Sequence, residues 1–330
     1  MNFLDFQQVQ KKPRAALALV TLLALCGCLH DDTDASHELA SQGIFSGALS
    51  SDGAFSLVGS LNHGASLWRN PDHERLYDWN HQAGEYSTLT AAAFSPDGTR
   101  AATADPRTLV LWDTGTGQSL GYWATPGSVM SLAVLNQGRA VLMGLEDHSA
   151  VLFDPTNGAH LRTFLHQAVV GSVAASTDGT LAFTGSDDET AVLWDLNTGE
   201  SLHRFECGNP VRQVALSATG RYAFTAAQGA AVTLWDATSG TRLADLHDRN
   251  PGVTSARFAF DESTLLIGFV NRTVELWDTR SHRRIQRWNA GARDPWRPTG
   301  AAILAVGYDA RTGAFLALAG DGRLVELRRI

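Results

Sequence analysis

Short apolar runs alternate with polar turns along most of the chain. The runs are too short for helices and rich in residues that favour strands, as in Leu181 to Thr184 and Ala191 to Trp194. Turn residues such as Thr177-Asp178-Gly179 and Thr198-Gly199 lie between the runs, and their glycines permit tight chain reversal. The pattern predicts antiparallel sheets built from short strands.

This strand pattern repeats seven times. Most repeats carry leucine, tryptophan and aspartate in succession, and the central position of this marker falls at Trp68, Trp112, Phe153, Trp194, Trp235, Trp277 and Leu327. Neighbouring markers lie 44, 41, 41, 41, 42 and 50 residues apart. Each period therefore predicts one four-stranded antiparallel sheet. One such sheet cannot bury both of its faces, so we expect the seven sheets to stack around an axis in a closed ring.

The stretch from His166 to Asp195 resembles a repeat of the WD40 family, and the resemblance extends over residues 37–330. It implies an all-β fold, namely a seven-bladed β-propeller of four-stranded antiparallel blades whose ring is closed by an N-terminal strand. It also implies a buried hydrogen-bonded relay of a histidine, a hydroxyl, an aspartate and a tryptophan. The residues at these positions are His166, Ser186, Asp188 and Trp194.

The other repeats depart from this relay. The position six residues before the marker tryptophan holds Pro106 in the second repeat and Gly229 in the fifth, so we expect the complete relay in one blade only. The tryptophans recur on one strand of every sheet, and we therefore expect them to fill the core between blades. The aspartates that follow them are expected to cap turns.

The last repeat supplies only three strands before the chain stops. They are expected near Ile303 to Tyr308, Phe315 to Ala319 and Leu324 to Arg328. The missing fourth strand is expected at His37 to Gln42, immediately before the first blade. This strand would close the ring.

The first 27 residues have the pattern of a secretory signal. Lys11, Lys12 and Arg14 precede an apolar run from Ala15 to Leu25, which is about half the ~20 residues that a membrane-spanning helix requires. The run ends at Leu25-Cys26-Gly27-Cys28, which resembles a bacterial lipobox. The resemblance implies cleavage after residue 27 and attachment of diacylglycerol and fatty acid to Cys28, with residues 28–36 as a polar tether. Leu29, rather than aspartate, after this cysteine resembles the sorting signal of outer-membrane lipoproteins.

Charge and cysteine content narrow the function classes. Removal of residues 1–27 leaves 33 acidic against 23 basic side chains and no lysine. An acidic surface argues against a nucleic-acid partner, and the lack of lysine excludes Schiff-base chemistry. Cys207 would then be the one cysteine without a lipid, so no internal disulfide is expected.

No catalytic motif stands out in the chain. A His-Glu-x-x-His pair and a phosphate-binding glycine loop are both lacking, and neither a metal nor a cofactor is expected. One alternative is a quinoprotein-type propeller enzyme, because Asp195 to Leu202 is similar to the turn of those repeats. A propeller that binds a small ligand or a glycan is another.

Two connections between blades are longer than the rest. One runs from Asn289 to Gly300 and the other from Asn80 to Ser87, and both would lie on the same side of the ring. Tryptophan and arginine are enriched at interface hot spots. The hypothesis is a partner-binding patch made of Trp296, Arg297, Arg293, Tyr86 and His81. The alternative is that Trp296 plugs the central channel.

These observations together favour a non-enzymatic interaction scaffold. It would be held at the outer membrane by lipid, facing the periplasm, and would bind one or more protein partners whose identity the sequence does not give.

Overall fold

The structure is a computed structural model that describes residues 33–60, 64–82, 84, 86–293 and 301–328. The predicted signal segment and Cys28 lie outside these residues, as do Trp296 and Arg297. Within the described ranges no helix has the length and hydropathy that crossing a bilayer would require.

The described residues form seven four-stranded antiparallel sheets, which confirms the predicted all-β, seven-bladed propeller. Blade 1 consists of β2 (Ile44–Leu49), β3 (Phe55–Ser60), β4 (Gly64–Arg69) and β5 (Glu74–Asp78). Blade 2 consists of β6 (Ala91–Phe94), β7 (Arg100–Ala104), β8 (Thr108–Asp113) and β9 (Ser119–Ala124). Blade 3 consists of β10 (Val129–Leu135), β11 (Ala140–Leu145), β12 (Ser149–Asp154) and β13 (Ala159–Leu165). Blade 4 consists of β14 (Val170–Ala175), β15 (Leu181–Ser186), β16 (Thr190–Asp195) and β17 (Ser201–Glu206). Blade 5 consists of β18 (Val211–Leu216), β19 (Tyr222–Ala227), β20 (Val232–Asp236) and β21 (Thr241–His247). Blade 6 consists of β22 (Val253–Phe258), β23 (Thr264–Phe269), β24 (Thr273–Asp278) and β25 (Arg284–Asn289). Blade 7 consists of β26 (Ile303–Tyr308), β27 (Phe315–Ala319), β28 (Arg323–Leu327) and β1 (Thr33–Glu38).

The ring has two faces. Connections between blades lie beside the hairpins that join the second and third strands, because the N–H of Asp187 donates to the carbonyl of Val169 at 2.9 Å. We call this end, formed by segments such as 166–169 and 187–189, the connector face. The first and third turns of each blade lie at the opposite end, where the N–H of Leu196 donates to the carbonyl of Thr180 at 2.8 Å. We call this end, formed by segments such as 177–180 and 196–200, the turn face.

Apolar clusters hold neighbouring blades together. Each of the seven clusters in the described chain combines residues from two adjacent blades, so every blade is buried against both of its neighbours. Trp194 of blade 4 packs on Phe164 of blade 3, and Trp112 of blade 2 packs on Trp79 of blade 1, each with ring centroids 5.1 Å apart. The prediction that the marker tryptophans form inter-blade core is confirmed.

The ring is closed by the N-terminal strand, but four residues earlier than the sequence indicated. β1 (Thr33–Glu38) pairs antiparallel with β28, whereas residues 37–42 were expected in this role. After Glu38 the chain turns toward blade 1, and the N–H groups of Leu39 and Ala40 both donate to the carbonyl of Gly322, at 2.8 and 3.0 Å. Residues 33–36 therefore belong to the propeller and not to the tether.

Candidate functional site

A buried hydrogen-bonded relay crosses blade 4. His166 Nδ1 lies 2.9 Å from Asp188 Oδ2, and His166 Nε2 lies 2.8 Å from Thr184 Oγ1. Trp194 Nε1–H donates to the same Thr184 hydroxyl at 2.9 Å. The hydroxyl of this relay is thus Thr184, which corrects the assignment to Ser186.

Ser186 lies two residues after Thr184 on β15, and its hydroxyl makes its hydrogen bonds at the connector end of the blade instead. Its hydroxyl donates to the carbonyl of Ala168 at 3.0 Å and accepts the N–H of Asp188 at 3.1 Å. Side chains two residues apart on a strand share a face, so Ser186 and Thr184 both face the relay. Only Thr184 lies deep enough to reach Trp194.

The charge state of the relay follows from its partners. Burial would raise the pKa of Asp188, but hydrogen bonds from the Gln167 N–H, Thr190 and His166 outweigh it and lower this pKa to about 2. Burial lowers the pKa of His166. A neutral imidazole beside a carboxylate must donate from Nδ1, so the Thr184 hydroxyl donates to Nε2.

Blade 2 carries a second complete relay, which the sequence analysis did not predict. His81 Nδ1 lies 3.1 Å from Asp105 Oδ2, His81 Nε2 lies 2.9 Å from Thr103 Oγ1, and Trp112 Nε1–H donates to Thr103 at 2.8 Å. The expectation of a single relay was wrong.

This relay also removes His81 from the predicted partner-binding patch. The histidine side chain is only 3% exposed, because both ring nitrogens are engaged inside the blade. Its role is structural. The signal for it was Asp105, which lies one residue before the position that was compared with Asp188.

In blade 6 a glutamate, Glu275, links the histidine and the tryptophan in place of the threonine hydroxyl. His247 Nε2 and Trp277 Nε1–H both meet Glu275 Oε2, at 2.9 and 3.0 Å, and Arg284 Nη1 donates to the other carboxylate oxygen at 2.9 Å. The Glu275 side chain is buried. Burial would raise its pKa, but these partners hold the pKa below its usual range. The signal in the sequence was a glutamate two residues before Trp277, where blades 2 to 4 carry valine.

Cys207 occupies the corresponding position in blade 5. It is a free thiol four residues before β18, as His166 is before β14, and it lies beside Thr225, which accepts Trp235 Nε1–H at 2.8 Å. Burial raises the pKa of Cys207 to about 11. A thiol in this state is a poor nucleophile, which fits a packing role.

Two of the remaining members of the predicted patch, Arg293 and Tyr86, lie among the described residues. Arg293 Nη1 donates to the carbonyl of Ser41 at 2.7 Å, and its Nη2 pairs with Glu38 at 2.7 Å, so this arginine ties the last connection to the closing strand. Tyr86 lies on the connection between blades 1 and 2 and is 66% exposed. Trp296 and Arg297 lie outside the described residues. The patch as a whole therefore stays a prediction, from which His81 alone is removed.

Large apolar side chains are exposed on the connector face. Phe45 and Met130, at the start of β2 and β10, line the channel mouth and are 58% and 44% exposed. Tyr86 and Leu165 are exposed on the same face, farther from the axis. Exposed apolar side chains also occur toward the turn face, where Phe260 is 83% exposed beside the channel mouth and Leu120, Leu161 and Leu202 are 45–50% exposed near the start of outer strands.

Acidic side chains accompany these apolar residues. Glu146, Asp147 and Glu189 are exposed on the connector hairpins of blades 3 and 4. Asp187 is paired with Arg212 at 2.8 Å. The part of the chain that the structure describes holds no group of three or more His, Cys, Asp or Glu side chains placed to bind a metal ion.

Comparison with known proteins matches the family model described as "WD domain, G-beta repeat" to residues 79–113 and 158–195. These two segments contain the two complete relays. No curated protein matches the chain significantly.

Proposed function

We propose that this chain, a seven-bladed β-propeller of WD40 repeats, is a lipid-anchored, non-enzymatic scaffold of the bacterial periplasm that binds another protein through its connector face. The observation that carries the proposal is the exposure of Phe45 and Met130 at the channel mouth. Exposed apolar side chains grouped on one face are typical of protein-binding surfaces. Both project from inner strands, so the ring presents them on a rigid support.

The acidic side chains on the connector hairpins of blades 3 and 4 favour a partner with basic residues at this part of the face, although Arg107 and Arg249 are exposed elsewhere on it. Glu146, Asp147 and Glu189 lie on the same face as Met130 and would complement lysine or arginine at the rim of the interface. The apolar centre would contribute affinity, and the acidic rim would speed association.

A pair of matched variants tests the binding face. The double variant Phe45→Ser, Met130→Ser should lose a partner that co-purifies with the wild type after cross-linking in native membranes. The control, Phe260→Ser, removes a more exposed apolar side chain from the turn face and should retain the partner. Loss in the control and retention in the double variant would refute the proposed face.

The lipid anchor rests on the sequence from Leu25 to Cys28. An acylated Cys28 would hold the propeller at the periplasmic side of the outer membrane, since two or more acyl chains give stable attachment without a spanning helix. Metabolic labelling with an alkyne fatty acid should mark the wild type and leave Cys28→Ser unlabelled. Labelling of that variant, or a mature protein that begins before residue 28, would contradict the anchor.

A further inference from the structure

The inner strands of the seven blades enclose a channel of about 640 Å³. One position on the inner strands is equivalent in every blade by strand register, and six blades carry alanine or glycine there. The seven residues are Ala48, Ala93, Ala133, Ala174, Ala215, Arg257 and Gly307. Blade 6 alone places a long cationic side chain at this level of the channel.

Arg257 is also the one charged side chain among the described residues that line the channel. Apart from Gln213, the rest of the wall consists of small, apolar and hydroxyl-bearing residues such as Ala174, Val134 and Ser172. In an environment of this kind an isolated charge is costly unless a partner of opposite charge compensates it.

The guanidinium is fixed in place by the backbone of blade 1. Arg257 Nη1 donates to the carbonyls of Leu49 and Ser50 at 2.9 and 3.2 Å. To reach them it passes blade 7 at Gly307, where an added Cβ would lie 3.6 Å from Nη1. This distance is an ordinary van der Waals contact, so the arginine packs directly against blade 7 at this position.

Most donors of this guanidinium are not used. Two carbonyls engage Nη1, and the described chain offers no acceptor to Nε or Nη2. Burial lowers the pKa of Arg257. The carboxylate of Asp52, on the neighbouring turn, raises this pKa through space but makes no hydrogen bond to the guanidinium, since it accepts from the Ser50 hydroxyl at 2.6 Å and the Ala54 N–H at 3.0 Å. Carbonyl oxygens hold the arginine in position but supply no negative charge.

The turn-face mouth of the channel adds an apolar group. Phe260, which follows β22 by two residues, lines this mouth and is 83% exposed. A molecule that enters here would meet an aromatic ring first, then the guanidinium, and then a wall of alanine.

We propose that the channel binds a small organic anion, a carboxylate with an apolar body, whose charged group pairs with Arg257 Nε and Nη2 and whose body lies among the alanines beneath Phe260. The volume falls within the roughly 300–1,000 Å³ typical of small-molecule sites. Guanidinium groups bind carboxylates through two parallel N–H donors, and those two nitrogens are the ones left unused. This site is distinct from the connector face and does not depend on the scaffold role.

Two probes of equal shape separate the anion site from a merely apolar channel. 4-Phenylbutyrate and its uncharged amide, 4-phenylbutanamide, are each used to displace the fluorescent dye 8-anilinonaphthalene-1-sulfonate from the full-length protein. We expect the acid to compete about tenfold more strongly than the amide, as a single charge-assisted pair provides. Equal competition by acid and amide on the wild type would overturn the proposal.

Three variants locate the effect. Arg257→Met should abolish the preference for the acid, and Arg257→Lys should retain part of it. Ala133→Phe, at the same level of blade 3, should weaken both probes by filling the channel but preserve their ratio. If Arg257 were only a strut between blades, Arg257→Met and Arg257→Lys would lower the melting temperature and leave the acid-to-amide ratio unchanged. If Arg257→Met does not fold, the acid-to-amide competition ratio is compared between the wild type and Arg257→Lys. A ratio of one in both proteins would refute the site.

Discussion

At the scale of single residues, the relays explain why a threonine is needed inside a blade. Thr184 accepts from Trp194 and donates to His166, so one hydroxyl satisfies two buried ring nitrogens. A buried polar group left without a partner costs about 1–3 kcal/mol. The relay therefore stabilises the fold chiefly by leaving no such group.

Thr184→Val should lower stability by about 1–3 kcal/mol for each ring nitrogen that it leaves unsatisfied, because valine has the same shape but no hydroxyl. The control is Thr163→Val on the exposed side of β13, which should change stability by less than about 0.5 kcal/mol. Midpoints of urea unfolding measure both. Equal midpoints for the two variants would show that Thr184 has no such role.

The relay also makes stability depend on pH. Burial lowers the pKa of His166 below its unfolded value of about 6.5, so the unfolded chain takes up a proton that the folded chain excludes. The contribution of His166 to the free energy of unfolding is therefore complete above a pH of about 6.5. It is lost as the pH falls below this value, by up to about 1.4 kcal/mol per pH unit for one histidine. Asp188, with its pKa of about 2, adds a further loss between roughly pH 4 and 2.

Urea midpoints measured from pH 8 to pH 5 should thus be flat above about pH 7 and decline below it. His166→Gln should be less stable at pH 8 but should decline less steeply, because one histidine no longer titrates. If the urea midpoint of His166→Gln falls with decreasing pH as steeply as that of the wild type, His166 does not cause the loss of stability at low pH.

At the scale of elements, small shifts in hairpin length decide which residues meet. Four residues separate the paired residues Ala104 and Leu109 in blade 2, whereas five separate Gly185 and Ala191 in blade 4. The shorter hairpin brings Asp105, rather than Pro106, to the histidine. Residue spacing in the sequence identified the relay of blade 4 but missed that of blade 2 for this reason.

Ring closure depends on one close backbone approach. Gly322 has φ +89° and accepts both Leu39 and Ala40, and an added Cβ would lie 2.2 Å from the carbonyl oxygen of Ala40. Only glycine allows the closing strand to lie this near.

Gly322→Ala should therefore lower the melting temperature more than Gly313→Ala. Gly313 has φ +72° but nothing within 4 Å of an added Cβ, so this control carries the cost of the backbone conformation without the collision. We expect a loss of about 1 kcal/mol for the control and clearly more for Gly322→Ala. Equal losses would mean that the closing strand tolerates displacement.

At the scale of the whole molecule, the sequence predicted the architecture well and the surface poorly. The period of the markers at Trp112 and Trp194 predicts seven blades, because each blade must bury the same positions against its neighbours. Hydrogen bonds and ion pairs between side chains of different blades leave no comparable period in the sequence. Arg293 looked like a surface residue, yet it pairs with Glu38, more than two hundred residues away in the chain.

The apolar and cationic positions of the channel show the same limit. Phe45 and Arg257 occupy strand positions whose exposure depends on the closed ring, so neither stands out from local sequence. Their neighbours in space come from other blades. The connector face and the channel could be recognised only once the blades were assembled.

The most direct test of the scaffold is site-specific photo-cross-linking in native membranes. A photoreactive residue placed at Met130 or Phe45 should form adducts with a distinct protein, and the same residue at Phe260 should not. Adducts formed at Phe260 and absent from both connector positions would contradict the account.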